Sequence, residues 1–155
     1  MDLARNLKID SVSRLNPSPP RHVGPEQTVA EAVSLMRYEK IGCLLVCQDG
    51  RLLGLFTERD LMQRVMAEGK PFSLPVEEFM TPDPVVVHPK DPVGLAIRRM
   101  EEGGYRHLPV VNDKGQPVGL LSVKRIVHYL VEHFPSTIYN LPPDPRVVPQ
   151  EREGA

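Results

Sequence analysis

This sequence has no apolar run long enough to cross a membrane, because its longest uninterrupted stretch lies near Cys43 to Cys47 and a spanning helix needs roughly 20 residues. It has no excess of either charge, with 19 lysines and arginines against 20 aspartates and glutamates, so no overall field attracts nucleic acid or an anionic membrane. The segment from Met1 to Arg5 lacks the apolar core of a secretion signal. We therefore expect a cytoplasmic protein that has neither nucleic acid nor a membrane as a partner, and in which any basic site is local.

Cysteine is scarce as well, and the usual marks of catalytic sites are missing. Cys43 and Cys47 are too few for a disulfide framework, and no second pair of cysteines or histidines follows at a matching spacing, so we expect no metal site. There is no serine elbow, no reactive cysteine paired with a helical histidine, and no Gly-rich phosphate loop followed by Lys-Ser or Lys-Thr. The sequence thus predicts a protein that is not an enzyme and requires no cofactor.

What the sequence does contain is internal repetition. A shift of 64 positions places Met36 on Met100, and a shift of 65, after the extra residue Lys114, places Gly54 on Gly119. Two copies of one unit therefore make up most of the chain. The predicted division is an N-terminal extension (1–10), a first repeat (11–68), a linker (69–74), a second repeat (75–134) and a proline-rich C-terminal tail (135–155).

Each copy has the same predicted order of elements, which is strand, helix, strand, strand and helix. Apolar residues such as Val29, Ala32 and Met36 recur at the spacing of an amphipathic helix. The dipeptide Asp49-Gly50 is a strong hairpin signal between two leucine-rich runs. The predicted strands are 21–23, 43–47 and 52–56 in the first copy, and 85–87, 108–111 and 118–121 in the second.

A unit of about fifty residues with a three-stranded sheet buries too little surface to be stable alone. We therefore expect a mixed α/β (α+β) fold, in which two tandem βαββα repeats pack with pseudo-twofold symmetry. This arrangement leaves a cleft where the two sheets and the starts of the last helices meet. Because the helix that begins at Thr57 directs free backbone N–H groups toward this cleft, it suits a phosphorylated ligand.

Two runs inside the repeated unit carry a family resemblance. The segments 54–61 (GLFTERDL) and 105–111 (YRHLPVV), together with the repeat and the order of elements, resemble those of CBS domain pairs, also called Bateman modules. The resemblance covers roughly residues 9 to 132. It implies a regulatory module that binds AMP, ADP, ATP or a related adenosine ligand between its two CBS repeats, forms a homodimer and transmits occupancy to a regulated protein that the sequence does not identify.

The resemblance also implies roles for individual residues. Thr57 and Asp60 match the pair that holds the ribose, the carboxylate accepting hydrogen bonds from the two vicinal hydroxyls. Phosphate contacts would come from Arg106, His107 and Lys124 of the second copy, and His107 would add pH dependence near neutrality. The adenine ring would lie against Leu55 and Val85. Each assignment has a structural alternative, which for Thr57 and Asp60 is a capping box that only satisfies the donors of its own helix.

Two further expectations concern the second site and self-association. Ser122 and Arg125 stand where the second copy would carry its own ribose pair, and a guanidinium cannot accept hydrogen bonds, so we expect that site to be empty or to bind a phosphate. The alternative function is therefore a dimerisation scaffold whose nucleotide site is vestigial. The last helix of each copy is the predicted dimer surface, through the apolar residues Leu61, Met62, Val65, Met66, Ile126, Val127 and Leu130.

Overall fold

The computed structural model describes residues 5, 7, 8 and 10–133, and the predicted tail (135–155) lies outside the described residues. The first copy forms β1 (His22–Val23), α1 (Val29–Glu39), β2 (Cys43–Gln48), β3 (Arg51–Thr57) and α2 (Glu58–Asp60), which continues as a π-helical segment (Leu61–Met66). The second copy begins with the short strand β4 (Thr81–Pro82) and continues with α3 (Val93–Gly103), β5 (His107–Val111), β6 (Pro117–Ser122) and α4 (Val123–His133). Each copy opens with a one-turn 3-10 helix, at Val12–Leu15 and at Val76–Glu78.

Caps and turns in the sequence set the ends of these elements. The hydroxyl of Thr28 accepts a hydrogen bond from the backbone N–H of Glu31 at 3.1 Å, and α1 begins there. Between β2 and β3, Asp49 and Gly50 both have positive φ values of 52° and 78°, which a tight type I′ hairpin turn requires. Gly104 ends α3 with a φ of 68°. The predicted hairpin and the predicted first helix are therefore confirmed.

The two copies build two similar sheets. The first sheet has the strand order β1-β2-β3-β4, in which β1 is parallel to β2 and the other neighbours are antiparallel. The second sheet pairs β5 with β6, and single bridges extend it at both edges, from Val87 to Val110 and from Ser18 to Leu120. The mixed α/β architecture of two packed repeats agrees with the prediction.

The strand predicted at 85–87 is reduced to the single bridge at Val87, so the prediction of a full strand is wrong. In the first copy, the backbone N–H of Leu45 donates to the carbonyl of Arg21 at 3.0 Å. The equivalent residue in the second copy is Pro109, which has no N–H and cannot donate to Val85. The ladder therefore stops one residue early.

Each sheet packs one face against helices and turns its other face toward the partner sheet. The core of the first copy contains α1 and the inner residues of β2 and β3, and that of the second copy contains α3 and the inner residues of β5 and β6. A third cluster, between the two sheets, consists of Cys43, Leu45, Cys47, Leu55 and Leu120. Because β2 is apolar on both faces, all of its residues but Gln48 are buried.

The two copies exchange their leading segments. Val12 and Leu15, at the start of the first copy, are buried in the core of the second copy. Val76 and Phe79, at the start of the second copy, are buried in the core of the first. The strand β4 also lies near the start of the second copy, yet it pairs with β3 of the first. Neither repeat is therefore complete without residues from the other.

The helices predicted to form a dimer surface are more buried than expected. Val65 and Ile126 lie inside the two cores, and Leu61 and Leu130 are partly buried against them, so the prediction of exposure is wrong for Val65 and Ile126. Each helix follows directly on the second strand of its hairpin, β3 or β6, which turns one face of the helix onto that sheet. The apolar residues that these helices leave exposed are Met62, Met66, Val123, Val127 and Val131.

Candidate functional site

A cavity of about 490 Å³ opens between the two copies. On one side it is lined by the end of β3, the start of α2 and β4, and on the other by the segment 103–107 that leads from α3 into β5. Six of the seven residues predicted to contact a ligand line it, and these are Leu55, Thr57, Asp60, Val85, Arg106 and His107. Lys124 is the exception, since it is exposed on α4 and does not line the cavity.

Thr57 and Asp60 form a complete capping box at the start of α2. The backbone N–H and the hydroxyl of Thr57 donate to Oδ2 of Asp60 at 3.0 and 3.1 Å, and the backbone N–H of Asp60 donates to the hydroxyl of Thr57 at 3.2 Å. Asp60 is only 6% exposed, although it lines the cavity. The capping role that the spacing predicted as an alternative is therefore present.

The other carboxylate oxygen of Asp60 faces two residues that sequence reasoning missed. Thr81 of β4 donates from its hydroxyl to Oδ1 at 3.4 Å, and Nε of Arg64 lies 3.5 Å from the same oxygen. Arg64 also donates to the carbonyls of Phe79 and Met80, at 3.3 and 3.0 Å. Asp60 thus connects the start of α2, in the first copy, to β4 and the residues before it, near the start of the second copy.

Close approach of β4 to the site depends on Gly54. A Cβ at this position would lie 2.7 Å from both the sulfur of Met80 and the carbonyl oxygen of Thr81, distances that real side chains do not tolerate. Gly54 pairs with Pro82 in the sheet. The glycine therefore allows β4 to come near enough for Thr81 to reach Asp60.

His107 and Arg106 bring the second copy to the cavity. Arg106 is exposed, and His107 begins β5 half-buried. Burial lowers the pKa of His107 from its ordinary value of 6.5, while Glu58 opposes this shift and Arg106 adds to it. The imidazole is therefore mainly neutral at pH 7, and Arg106 supplies the positive charge of this segment.

The apolar wall consists of Leu55, which is buried in the layer between the sheets, and Val85, which is 36% exposed. Tyr105 was not predicted to take part, yet its ring lines the cavity and packs directly on the backbone of Gly103. A Cβ at Gly103 would overlap that ring. The tyrosine and the two aliphatic side chains offer a surface on which a flat ring can pack.

In the second copy, Ser122 and Arg125 take the positions of Thr57 and Asp60, and both already form hydrogen bonds within the protein. The hydroxyl of Ser122 accepts a hydrogen bond from the backbone N–H of Arg125 at 3.1 Å, so half of a capping box is kept. The guanidinium of Arg125 donates to the hydroxyl of Ser18 at 3.3 Å. Arg125 thus binds the segment that bridges to β6, much as Asp60 is linked to β4.

Neither a metal centre nor a membrane segment is found in the described part of the chain. No group of three or more histidine, cysteine or acidic side chains in residues 5, 7, 8 and 10–133 is arranged to hold a metal ion. No helix within the same residues is both long and apolar enough to cross a bilayer. Burial raises the pKa of Cys43 to about 12, with a contribution from Asp60, and that of Cys47 to about 11, so neither thiol is activated.

The residues that sequence reasoning missed differ in how visible they were. Arg64 stands four positions after Asp60, a spacing that brings two helical side chains together, so the ion pair had a local signal. Thr81 lies 21 residues from Asp60, and only the pairing of β3 with β4 brings them together. Tyr105 belongs to the segment 105–111 that carries the family resemblance, but the resemblance implied ligand contacts only for Arg106 and His107.

Known proteins share this fold and sequence pattern. The CBS domain family model matches residues 12–67 and 76–132. The CBS domain-containing protein YhcV of Bacillus subtilis is 35% identical over 101 residues, which cover 65% of this chain and 71% of that protein. A 17.7 kDa uncharacterised protein of Acidianus ambivalens is 32% identical over 111 residues, or 71% of this chain and 66% of that protein. Other curated relatives are much longer, and one contains the matching region as 14% of its length.

A solved structure of similar fold holds a nucleotide. The CBS domain protein PAE2072 from Pyrobaculum aerophilum, complexed with AMP, superposes with a TM-score of 0.71 at 25% identity, covering 79% of this chain and 98% of that one. The present chain therefore belongs to the CBS domain family and contains a pair of these domains. Proteins of this family are regulatory modules and are generally not catalytic.

Proposed function

We propose that this protein is a non-catalytic, cytoplasmic regulatory module that binds an adenine nucleotide, such as AMP, ADP or ATP, in the cavity between its two CBS repeats. Its occupancy would be transmitted to a partner protein. The main support is that six residues predicted from three separate segments line one cavity, with Asp60 of the first copy as an acceptor and Arg106 of the second copy as a cation. The AMP complex of the Pyrobaculum protein supports the choice of ligand.

In this proposal Asp60 accepts hydrogen bonds from the ribose. A carboxylate has about four acceptor positions, and Asp60 already uses three, two for Thr57 and one for Thr81. Since Nε of Arg64 also lies 3.5 Å from Oδ1, the two ribose hydroxyls would displace the two longest contacts of the carboxylate, those of Thr81 at 3.4 Å and of Arg64. Binding would then loosen the contact between α2 and β4, which offers a route from occupancy to the packing of the repeats.

The other contacts follow from the lining of the cavity. The adenine ring packs on Leu55 and Val85, and the phosphate accepts hydrogen bonds from Arg106, with His107 beside it. Lys124 does not line the cavity, and we assign it no contact with the ligand. We expect one nucleotide per chain, because Arg125 replaces the acceptor of the second site and donates to Ser18 instead.

Titration calorimetry of the ligand-stripped protein with AMP, ADP and ATP tests this function. We expect heat of binding at one ligand per chain and a higher melting temperature. Arg106→Gln should weaken AMP binding about tenfold, as for the loss of one charge-assisted hydrogen bond. Arg98→Gln removes the same charge from an exposed position of α3 outside the cavity and should leave binding unchanged. No heat and no thermal shift with any nucleotide would refute the proposal.

A second candidate, a dimerisation scaffold with a vestigial site, is favoured by the complete capping box, because Asp60 has a structural role without any ligand. Met62 and Met66 support the dimer itself, since they are 63% and 59% exposed on one helix. Light scattering at micromolar concentration should give a dimer, and Met66→Glu should shift it toward monomer. A monomeric native protein would exclude the scaffold function.

A further inference from the structure

Glu58, the first residue of α2, has a position in the cavity that the nucleotide proposal leaves unexplained. Its backbone N–H donates to the carbonyl of Gly42 at 3.0 Å, and its side chain lies over that glycine. A Cβ built on Gly42 would be 2.9 Å from the carboxyl carbon of Glu58 and 3.1 and 3.2 Å from its two oxygens. The Glu58 carboxylate can therefore lie at this position only because residue 42 has no side chain.

At the equivalent positions, the second copy carries a cation where the first has glycine, and an apolar residue where the first has a carboxylate. There Val123 donates its N–H to the carbonyl of Arg106 at the same distance of 3.0 Å, so the backbone arrangement is repeated. Arg106 replaces Gly42, and Val123 replaces Glu58. Because Gly42, Glu58 and Arg106 all line the cavity, the pseudo-twofold relation brings a carboxylate of one copy and a cation of the other to the same cavity.

The charges around the cavity show what this carboxylate does. Among the described lining residues there are three arginines, Arg59, Arg64 and Arg106, and two acids, Glu58 and Asp60. Arg64 is committed to Asp60 by their ion pair, which leaves two cations and one carboxylate to act on a ligand. The Glu58 carboxylate raises the pKa of His107, against the larger effect of burial, so its charge acts on the segment that would receive phosphate.

We propose that Glu58 determines ligand specificity, because its carboxylate limits the negative charge that the phosphate end of the cavity accepts and so favours nucleoside monophosphates over triphosphates. This inference rests on the proposed nucleotide function. A monophosphate carries at most two negative charges, which Arg59 and Arg106 can balance. Each further phosphate adds charge that Glu58 repels.

The size of the effect follows from Coulomb's law. In water-like surroundings, the interaction energy of two unit charges about 8 Å apart is about half of that at 4 Å. This energy corresponds to about a twofold change in affinity for each unit of ligand charge. Glu58→Gln should therefore leave adenosine binding unchanged, strengthen AMP binding about fourfold and strengthen ATP binding by roughly tenfold or more. Because Glu58 is exposed, 0.5 M salt should reduce these differences.

Calorimetry with adenosine, AMP, ADP and ATP on the native protein, Glu58→Gln and Glu26→Gln tests the inference. Glu26 is exposed and does not line the cavity, so its variant makes the same change of net charge elsewhere. The expected result is a gain in affinity that increases with the number of phosphates in Glu58→Gln alone. Glu58→Ala serves as a second variant, and it should show the same order of gains if Glu58→Gln is poorly folded.

The possible failures are distinguishable. If the native protein binds none of the four ligands, the nucleotide function itself is wrong. If it binds them but Glu58→Gln changes adenosine and ATP by the same factor, or changes none of them, the function remains and the role of Glu58 is refuted. An equal gain in Glu26→Gln would mean that net charge, rather than the position of Glu58, controls the affinity for phosphates.

Discussion

Replacing Asp60 with alanine separates the structural role of this carboxylate from its proposed role in binding. The substitution removes the acceptor for the backbone N–H and the hydroxyl of Thr57, the partner of the Thr81 hydroxyl, and the ion-pair partner of Arg64. Asp60 is buried, so water cannot fully replace it as an acceptor. The variant should therefore lose both stability and nucleotide affinity, through different interactions.

The two losses can be estimated separately. Loss of the Asp60 half of the capping box costs about 1 kcal/mol of folding free energy, and a partly buried donor left without its acceptor costs about 1 to 3 kcal/mol. A total of about 2 to 4 kcal/mol corresponds to a fall in melting temperature of roughly 4 to 16 °C for a chain of this size. The lost ribose acceptor, with its charge-assisted bonds, should weaken AMP binding about ten- to hundredfold.

Thermal denaturation with and without AMP measures both effects, and Asp91→Ala is the matched control. Oδ2 of Asp91 accepts a hydrogen bond from the backbone N–H of His88 at 2.8 Å and lies 3.9 Å from Arg99, but Asp91 does not line the cavity. Asp91→Ala should be destabilised yet still respond to AMP. If Asp60→Ala melts lower but keeps the full AMP-induced shift, the reasoning that places Asp60 in the binding site is refuted.

Two further predictions concern ionisation. Because the pKa of His107 is lowered in the folded state, the unfolded chain binds its proton more readily, so stability from this residue is present above pH 6.5 and is lost as the pH falls below it. Urea denaturation between pH 5 and 7.5 should show a steeper loss in the native protein than in His107→Gln, and parallel curves would contradict this. Since burial raises the pKa of Cys43 to about 12 and that of Cys47 to about 11, a thiol reagent at pH 8 should react with these cysteines only after unfolding. Rapid labelling of the native protein would show that the two thiols are accessible.

Much of the fold was predictable because the chain contains the same local signals twice. Helical periodicity in α1 and the Asp49-Gly50 turn act over a few residues, and the repetition showed that both copies form the same unit. The π-helical segment Leu61–Met66 was not predicted, since one extra residue in a turn leaves the apolar spacing nearly unchanged. The exchange of leading segments was not predictable either, because it depends on which core accepts Val12 and Val76.

The candidate site was predictable only in part, because local signals indicate its capping residues but not how distant segments pack around them. The Thr57 and Asp60 spacing indicated a capping box from local chemistry, and the structure contains it. The cavity brings Arg106 and His107 to this pair, as the family resemblance implied, but their contact with a ligand stays a prediction. Lys124 shows the limit of such inference, because its position on an exposed face of α4 follows from how that helix packs on its sheet.

Because the leading segments are exchanged, the folding of each repeat depends on the other. A truncation that removed Val12–Leu15 would open a hole in the core of the second repeat, although that repeat begins some sixty positions later. Cleavage in the linker would not produce two stable repeats, since Val76 would stay on the second fragment although it belongs to the core of the first repeat. The duplicated unit has in this way lost its independence, and the pair is the smallest piece of this chain that we expect to melt, refold or be inherited as a whole.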